Sequence, residues 1–138
     1  MQMASVRWVE QEQFVAVGPS GHAVPIDADR QRNSAPGPME LLLLGLGACT
    51  ATDVVSILKK KRQKLEELEV IVSGERAPEP PTVWTKLDLV YRLRGSLDEK
   101  AVRDAIELSE TKYCSVAAML RKTAAITFRH EILPSEAP

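Results

Sequence analysis

From residue 41 to residue 51 the chain reads Leu-Leu-Leu-Leu-Gly-Leu-Gly-Ala-Cys-Thr-Ala, eleven positions without a charge. This run lies inside residues 36–64, which read as one long helix, apolar on every face through its first half and cationic at its end. Pro36 and Pro38 stop whatever precedes it, and Pro38 suits a first turn, where a missing N–H is no loss. Glu40 falls at the positive end of the helix dipole and the bases at 59–64 at its negative end. Before the helix, residues 3–9, 13–17 and 22–26 have the pattern of short strands, with a turn at Gly18-Pro19-Ser20-Gly21 and a polar loop at 27–34. After it, Leu68, Val70 and Val72 alternate with polar neighbours, predicting a strand over 67–76 that ends at the proline-rich loop 77–81. The clearest period of two follows. Val83, Thr85, Leu87, Leu89, Tyr91 and Leu93 share one face, predicting a strand that completes a long antiparallel hairpin. Ser96-x-x-Glu99 reads as a capping box, opening a helix with Val102, Ala105, Ile106 and Ser109 on one side. A short helix over 115–122 and a last strand over 125–133 close the chain. The order β-β-β-α-β-β-α-α-β predicts an α+β fold with antiparallel sheets packed on a long central helix.

Length and composition narrow this further. A chain of 138 residues, 44% hydrophobic and 27% charged, is expected to form one soluble domain over 1–138. A formal charge of −1 points away from nucleic acid and from a membrane surface as partners. The window 39–58 has the length of a bilayer span, but it carries Glu40, Asp53 and three hydroxyl residues, so a buried core helix is expected. The N-terminus shows no apolar signal segment, and two cysteines make no disulfide framework, so a cytoplasmic protein with reduced thiols is expected. One small domain does not readily cover a helix that is apolar all round. A second copy of the chain, packed in a two-fold arrangement around residues 39–58, supplies the cover, and a homodimer is expected. The alternative is that the helices at 99–122 cover it alone.

Little in the sequence carries chemistry. There is no zinc spacing and no glycine-rich phosphate loop, so neither metal nor cofactor is expected. His22 and His130 sit in strand contexts and are expected to be structural, and the bases at 59–62 read as a solvated helix end. Two cysteines remain. Cys49 lies about three turns into the long helix, too deep for its dipole to act strongly, with Asp53 one turn further on the same face. Cys114 stands just before a short helix, where backbone N–H groups stabilise a thiolate.

The segment Gly-Pro-Met-Glu-Leu-Leu-Leu-Leu-Gly-Leu-Gly-Ala-Cys at 37–49, with Cys-Ser-Val-Ala-Ala-Met-Leu-Arg beginning at Cys114, resembles the two-cysteine signature of the OsmC/Ohr family. These are the osmotically inducible protein C and organic hydroperoxide resistance proteins. The stretches 53–60 and 110–120 resemble the YhfA-like branch most, and the similarity runs along essentially the whole chain. It implies an intertwined homodimer with the first cysteine on a central helix. It also implies that Cys49 attacks a hydroperoxide, that Cys114 resolves the sulfenic acid to a disulfide, and that a dithiol reductant closes the cycle. Glu40 and Asp53 stand as supporting acids, and an apolar lining from residues 41–46, Met119 and Leu120 suits an organic peroxide. The sequence departs from the hydroperoxide reductases in two places. Met39 stands where they carry a glutamate, with Glu40 one place later, and no arginine occurs around residues 13–14; Arg7, Arg30, Arg32 and Arg121 are the substitutes on offer. Two rival readings follow from those departures: a non-enzymatic dimer that binds an apolar small molecule or partner, and a peroxide sensor without efficient turnover.

Overall fold

The charge-free run becomes the middle of helix α1, Pro38–Lys60. It is shorter than the expected 36–64 at both ends, and local hydrogen bonds set the limits. At the start, Glu40 Oε1 accepts the Gly37 N–H at 2.9 Å, the backward half of a capping box. At the other end Arg62 takes a left-handed conformation, φ +57°. Gln63 N–H then bonds the Leu58 carbonyl and Arg62 N–H the Lys59 carbonyl, the paired bonds of a Schellman turn. Lys64, expected to be helical, opens the next strand. By length and composition α1 is also apolar enough to cross a bilayer.

The computed structural model describes residues 1–138 as two compact units, Met1–Leu42 and Leu43–Pro138. In the first, strands β1 (Ser5–Glu10), β2 (Gln13–Val17) and β3 (Ala23–Asp27) form an antiparallel sheet in that order. The loop after β3 is organised by Asp27, whose buried carboxylate accepts from Arg32 Nε at 3.0 Å, Arg32 Nη2 at 3.1 Å and Ser34 Oγ at 2.6 Å.

In the second unit, β4 (Lys64–Arg76) and β5 (Trp84–Ser96) make the expected antiparallel hairpin, pairing Val70 with Tyr91. β6 (Ala125–Leu133) lies on the other side of β5, with Tyr91 opposite His130. That pair is parallel, a departure from the expected all-antiparallel sheets. The connection from β5 to β6 is a helical crossover, which returns the chain to the starting end of the sheet, so that β6 runs in the direction of β5. The crossover holds α2 (Glu99–Leu108), a π-helical turn (Ser109–Tyr113) and α3 (Ser115–Leu120). The N-cap of α2 is Asp98, whose carboxylate accepts the Ala101 N–H at 2.9 Å. Ser96, expected to cap it, is the last residue of β5 and pairs with Lys64.

The core of this unit joins one stripe of α1 to the sheet and the crossover helices. Leu46, Thr50, Val54 and Leu58, four residues apart, are its buried face. They meet Leu87, Leu89, Tyr91 and Leu93 of β5 and Val102, Ala105 and Ile106 of α2. Other sides of the helix stay open: Leu44 is 59% exposed and Val55 43%. The crossover helices therefore do not cover α1 alone.

Candidate active site at the cysteine pair

Cys49 and Cys114, 65 residues apart in sequence, come together in the second unit as free thiols, near enough for Cys49 to act on the Cys114 thiol. α1 supplies Cys49, half-buried, and the end of the π-helical turn supplies Cys114, which is 3% exposed. The Cys114 N–H bonds the Ser109 carbonyl at 2.8 Å, closing that wide turn and fixing where the thiol points. Its sulfur caps α3, accepting the Ala117 N–H at 3.4 Å. The sequence suggested that such a position stabilises a thiolate. Burial outweighs it: removal from water pushes the Cys114 pKa up to about 12, the Ala117 N–H opposes the rise, and Cys49 and the Glu110 charge add to it. Cys114 rests as a thiol.

Beside the pair runs a chain of polar side chains. Arg121 Nη2 donates to Glu110 Oε2 at 3.3 Å, and the Tyr91 hydroxyl donates to Glu110 Oε1 at 2.6 Å. The Tyr91 oxygen lies 2.6 Å from Thr50 Oγ1, which lies 2.8 Å from Ser109 Oγ. Ser109 Oγ lies 2.8 Å from Asp53 Oδ2. Tyr91, Thr50, Ser109 and Glu110 are all buried. The Tyr91 hydroxyl is held far above its ordinary pKa, first by burial and then by the Glu110 carboxylate. The chain spans from α1, where Thr50 follows Cys49, to the turn that carries Cys114. Sequence reasoning found Asp53 but not Glu110, Tyr91, Thr50 or Ser109 as a group. The available signal was polar atoms at positions whose period assigns them to the core: Tyr91 among the leucines of β5, and Ser109 where the inner face of α2 continues into the π-helical turn.

The other singled-out residues lie elsewhere or have other work. Glu40 belongs to the first unit, where it receives the Gly37 N–H and lies 3.7 Å from Arg30 Nη1. Arg30 also donates to the carbonyls of Asp27 and Ala35, and Arg32 clamps Asp27, so both tie down the loop after β3. Arg7 lies in β1. Of the four arginines, Arg121 alone joins the polar chain. Met119, expected to line an apolar pocket, is 73% exposed within the single chain, and Leu44 is open as well. His22 meets Ser20 Oγ two residues away, and His130 of β6 meets Glu99 at the start of α2. A cleft of about 440 Å³ opens at Asp53, lined also by Ile57, Lys60, Lys61, Leu108 and Tyr113.

Residues 31–129 match the sequence model of the family described as OsmC-like protein. Protein YhfA of Escherichia coli strain K12 is 42% identical over 131 residues, covering 94% of this chain and 97% of its own. Among solved structures, a hypothetical protein from Aquifex aeolicus VF5 superposes with a TM-score of 0.89 at 29% identity, covering 99% of this chain and 98% of that one. The organic hydroperoxide resistance protein OhrB of Bacillus subtilis superposes with a TM-score of 0.66 at 15% identity, covering 95% and 98%, a likeness of fold.

Proposed function

The chain belongs to the OsmC-like family, and from that premise we propose that it is a cytoplasmic, homodimeric thiol protein that reduces organic hydroperoxides through Cys49 and Cys114. The observation that carries this reading is the meeting of the two thiols, brought from distant parts of the sequence into one site. Their surroundings divide the labour. Cys49 is the more exposed of the two, while Cys114 is buried and held protonated, a poor first nucleophile. In the first step the Cys49 thiolate attacks the terminal peroxide oxygen. The S–O bond forms, the O–O bond breaks, and the alkoxide takes a proton to leave as an alcohol. In the second, Cys114 sulfur attacks the sulfenic sulfur of Cys49. The S–S bond forms, the Cys114 thiol loses its proton, and the sulfenic oxygen leaves as water. An external dithiol then exchanges with the disulfide and is itself oxidised. The apolar sides of α1 at Leu44 and Val55 suit both an organic substrate and a second copy of the chain. Neither a metal nor a cofactor enters this scheme.

Peptide mass mapping after one equivalent of an alkyl hydroperoxide tests it. A Cys49–Cys114 disulfide, or a Cys49 sulfenate in Cys114→Ser, is the expected product. Neither species appearing refutes the reading.

A second reading is a peroxide sensor that oxidises once and turns over poorly. The engagement of Arg30 and Arg32 in the loop after β3 favours it, because those guanidinium groups are already committed to Asp27 and its neighbours. Disulfide formation without multiple turnover on any dithiol distinguishes the sensor from the reductase.

A further inference from the structure

The chain from Glu110 to Asp53 contains four oxygen–oxygen contacts: Glu110 to Tyr91, Tyr91 to Thr50, Thr50 to Ser109, and Ser109 to Asp53. All measure 2.6–2.8 Å, the separation of an O–H···O bond, and each therefore needs one hydrogen between its oxygens. The three hydroxyls supply three hydrogens. If both carboxylates were ionised, Tyr91 would donate to Glu110, Ser109 to Asp53, and Thr50 to only one of its two neighbours. One contact would then set lone pair against lone pair, in a site where the three hydroxyl residues are fully buried.

A hydrogen on either terminal carboxyl removes the conflict. With it on Asp53, every group donates toward Glu110: Asp53 to Ser109, Ser109 to Thr50, Thr50 to Tyr91, Tyr91 to Glu110. With it on Glu110, every bond reverses. Both arrangements satisfy all four contacts, and they interconvert by one short hop per link. Arg121 at the Glu110 end favours the first. Other charges meet the two ends. Cys114 lies near Glu110, and Lys60 and Lys61 share the cleft at Asp53.

We propose that this chain holds a fourth, shared proton, so that Glu110 and Asp53 carry one negative charge between them, and that it is the proton reservoir of the cysteine pair. The role, though not the shared proton, rests on the thiol reading above. As the Cys49–Cys114 bond forms, the proton leaving Cys114 enters at Glu110, and one leaves at Asp53 for the oxygen that departs as water. Nothing is gained or lost overall: sulfenic acid and thiol become disulfide and water. Glu110 and Asp53 act here as positioning residues for a proton, through the hydroxyls between them.

Infrared spectroscopy of the reduced protein at neutral pH tests the proton directly. A protonated carboxylic C=O band is expected in the wild type. It is expected to vanish in Asp53→Asn and in Glu110→Gln, because either amide supplies the missing hydrogen permanently, and to persist in Glu79→Gln, an exposed acid. No band, a band that survives both substitutions, or one lost in only one of them overturns the sharing. Should a variant not fold, carboxyl 13C shifts of the wild type decide: Asp53 and Glu110 moving together in a single-proton step support the proposal, and independent steps refute it. The role is read separately, by stopped flow. Asp53→Asn is expected to slow disulfide closure by about tenfold, a small part of the usual acid–base effect, with Cys49 sulfenate forming at the wild-type rate. Unchanged closure removes the reservoir role. A wild type that forms no disulfide refutes the thiol reading, while the infrared result still decides the proton.

Discussion

Tyr91 and Glu110 meet through a 2.6 Å hydrogen bond at a place where neither side chain reaches solvent. The bond ties the middle strand of the larger sheet to the turn that presents Cys114, and through Thr50 it also reaches the helix that presents Cys49. Tyr91→Phe deletes the hydroxyl and leaves a buried carboxylate and a buried threonine each short of a partner. A loss of about 2 kcal/mol is expected, larger than for an exposed hydrogen bond because both orphaned groups are out of water. Urea unfolding should show a lower midpoint at an unchanged slope. Adding Thr50→Val to Tyr91→Phe should cost less than Thr50→Val alone, since the two share one network.

Cys114 should be nearly inert in the native state. A pKa raised from 9.0 to about 12 leaves roughly a thousandfold less thiolate at pH 8 than in an unperturbed thiol. Iodoacetamide at that pH is expected to modify Cys49 first and Cys114 only on unfolding, as read by peptide mass mapping. The sign for stability follows. A thiol that holds its proton more tightly when folded stabilises the fold below pH 9 and loses that contribution as pH rises toward 12. Cys114→Ala should flatten this alkaline decline. Equal alkylation of both thiols in the native protein would contradict the burial of Cys114.

How much of this was readable from the residues depends on whether a pattern had a contrast. β5 alternates apolar with polar or charged residues, so its buried face of Leu87, Leu89, Tyr91 and Leu93 was legible. α1 has no such contrast through residues 41–51. Nothing there says that the stripe through Leu46 and Thr50 turns inward while Leu44 stays open, because packing chooses among equivalent faces. Ser96 and Asp98 both offer a capping oxygen, and the longer β5 took Ser96 into its ladder. Glu110 was hidden for another reason. A period of 3.6 carries the inner face of α2 from Val102 and Ile106 on to Ser109 and Glu110, but an acid at the end of an apolar stripe reads as the point where the stripe meets water. The π-helical turn widens the helix there, and Glu110 is buried together with Ser109. The two cysteines were visible as residues, but their meeting is a product of the crossover.

The first unit should show its own acid sensitivity. Arg32 first, then Ser34 and the N–H groups of Asp29 and Ser34, hold the Asp27 carboxyl far below the ordinary carboxylate range. A carboxyl depressed in the folded state contributes stability above its unfolded pKa and loses it as pH falls below about 4. Amide exchange in β3 and the following loop should therefore accelerate on acidification ahead of the larger sheet. Arg32→Ala should bring the same acceleration at neutral pH. A β3 segment whose exchange is insensitive to both would mean that the clamp does not hold the loop.

α1 itself yields the last prediction. Its apolar residues surround the axis, yet within one chain its buried stripe runs only through Leu46, Thr50, Val54 and Leu58, and Leu44 and Val55 remain 59% and 43% exposed. Leaving that surface in water forfeits about 25 cal/mol for each Å² that a partner could cover, which is the drive for the proposed two-fold dimer. Leu44→Glu places a carboxylate on the side of α1 that the proposed dimer would bury. Desolvating an unpaired charge there costs about 3 kcal/mol, raising the dimer dissociation constant on the order of 10²-fold. Sedimentation velocity at micromolar concentration should find the wild type as a dimer and Leu44→Glu shifted to monomer. Lys59→Glu, at the exposed end of the same helix, should stay dimeric. A wild type that sediments as a monomer would remove the dimer, and a dimeric Leu44→Glu would move its interface off this side of α1.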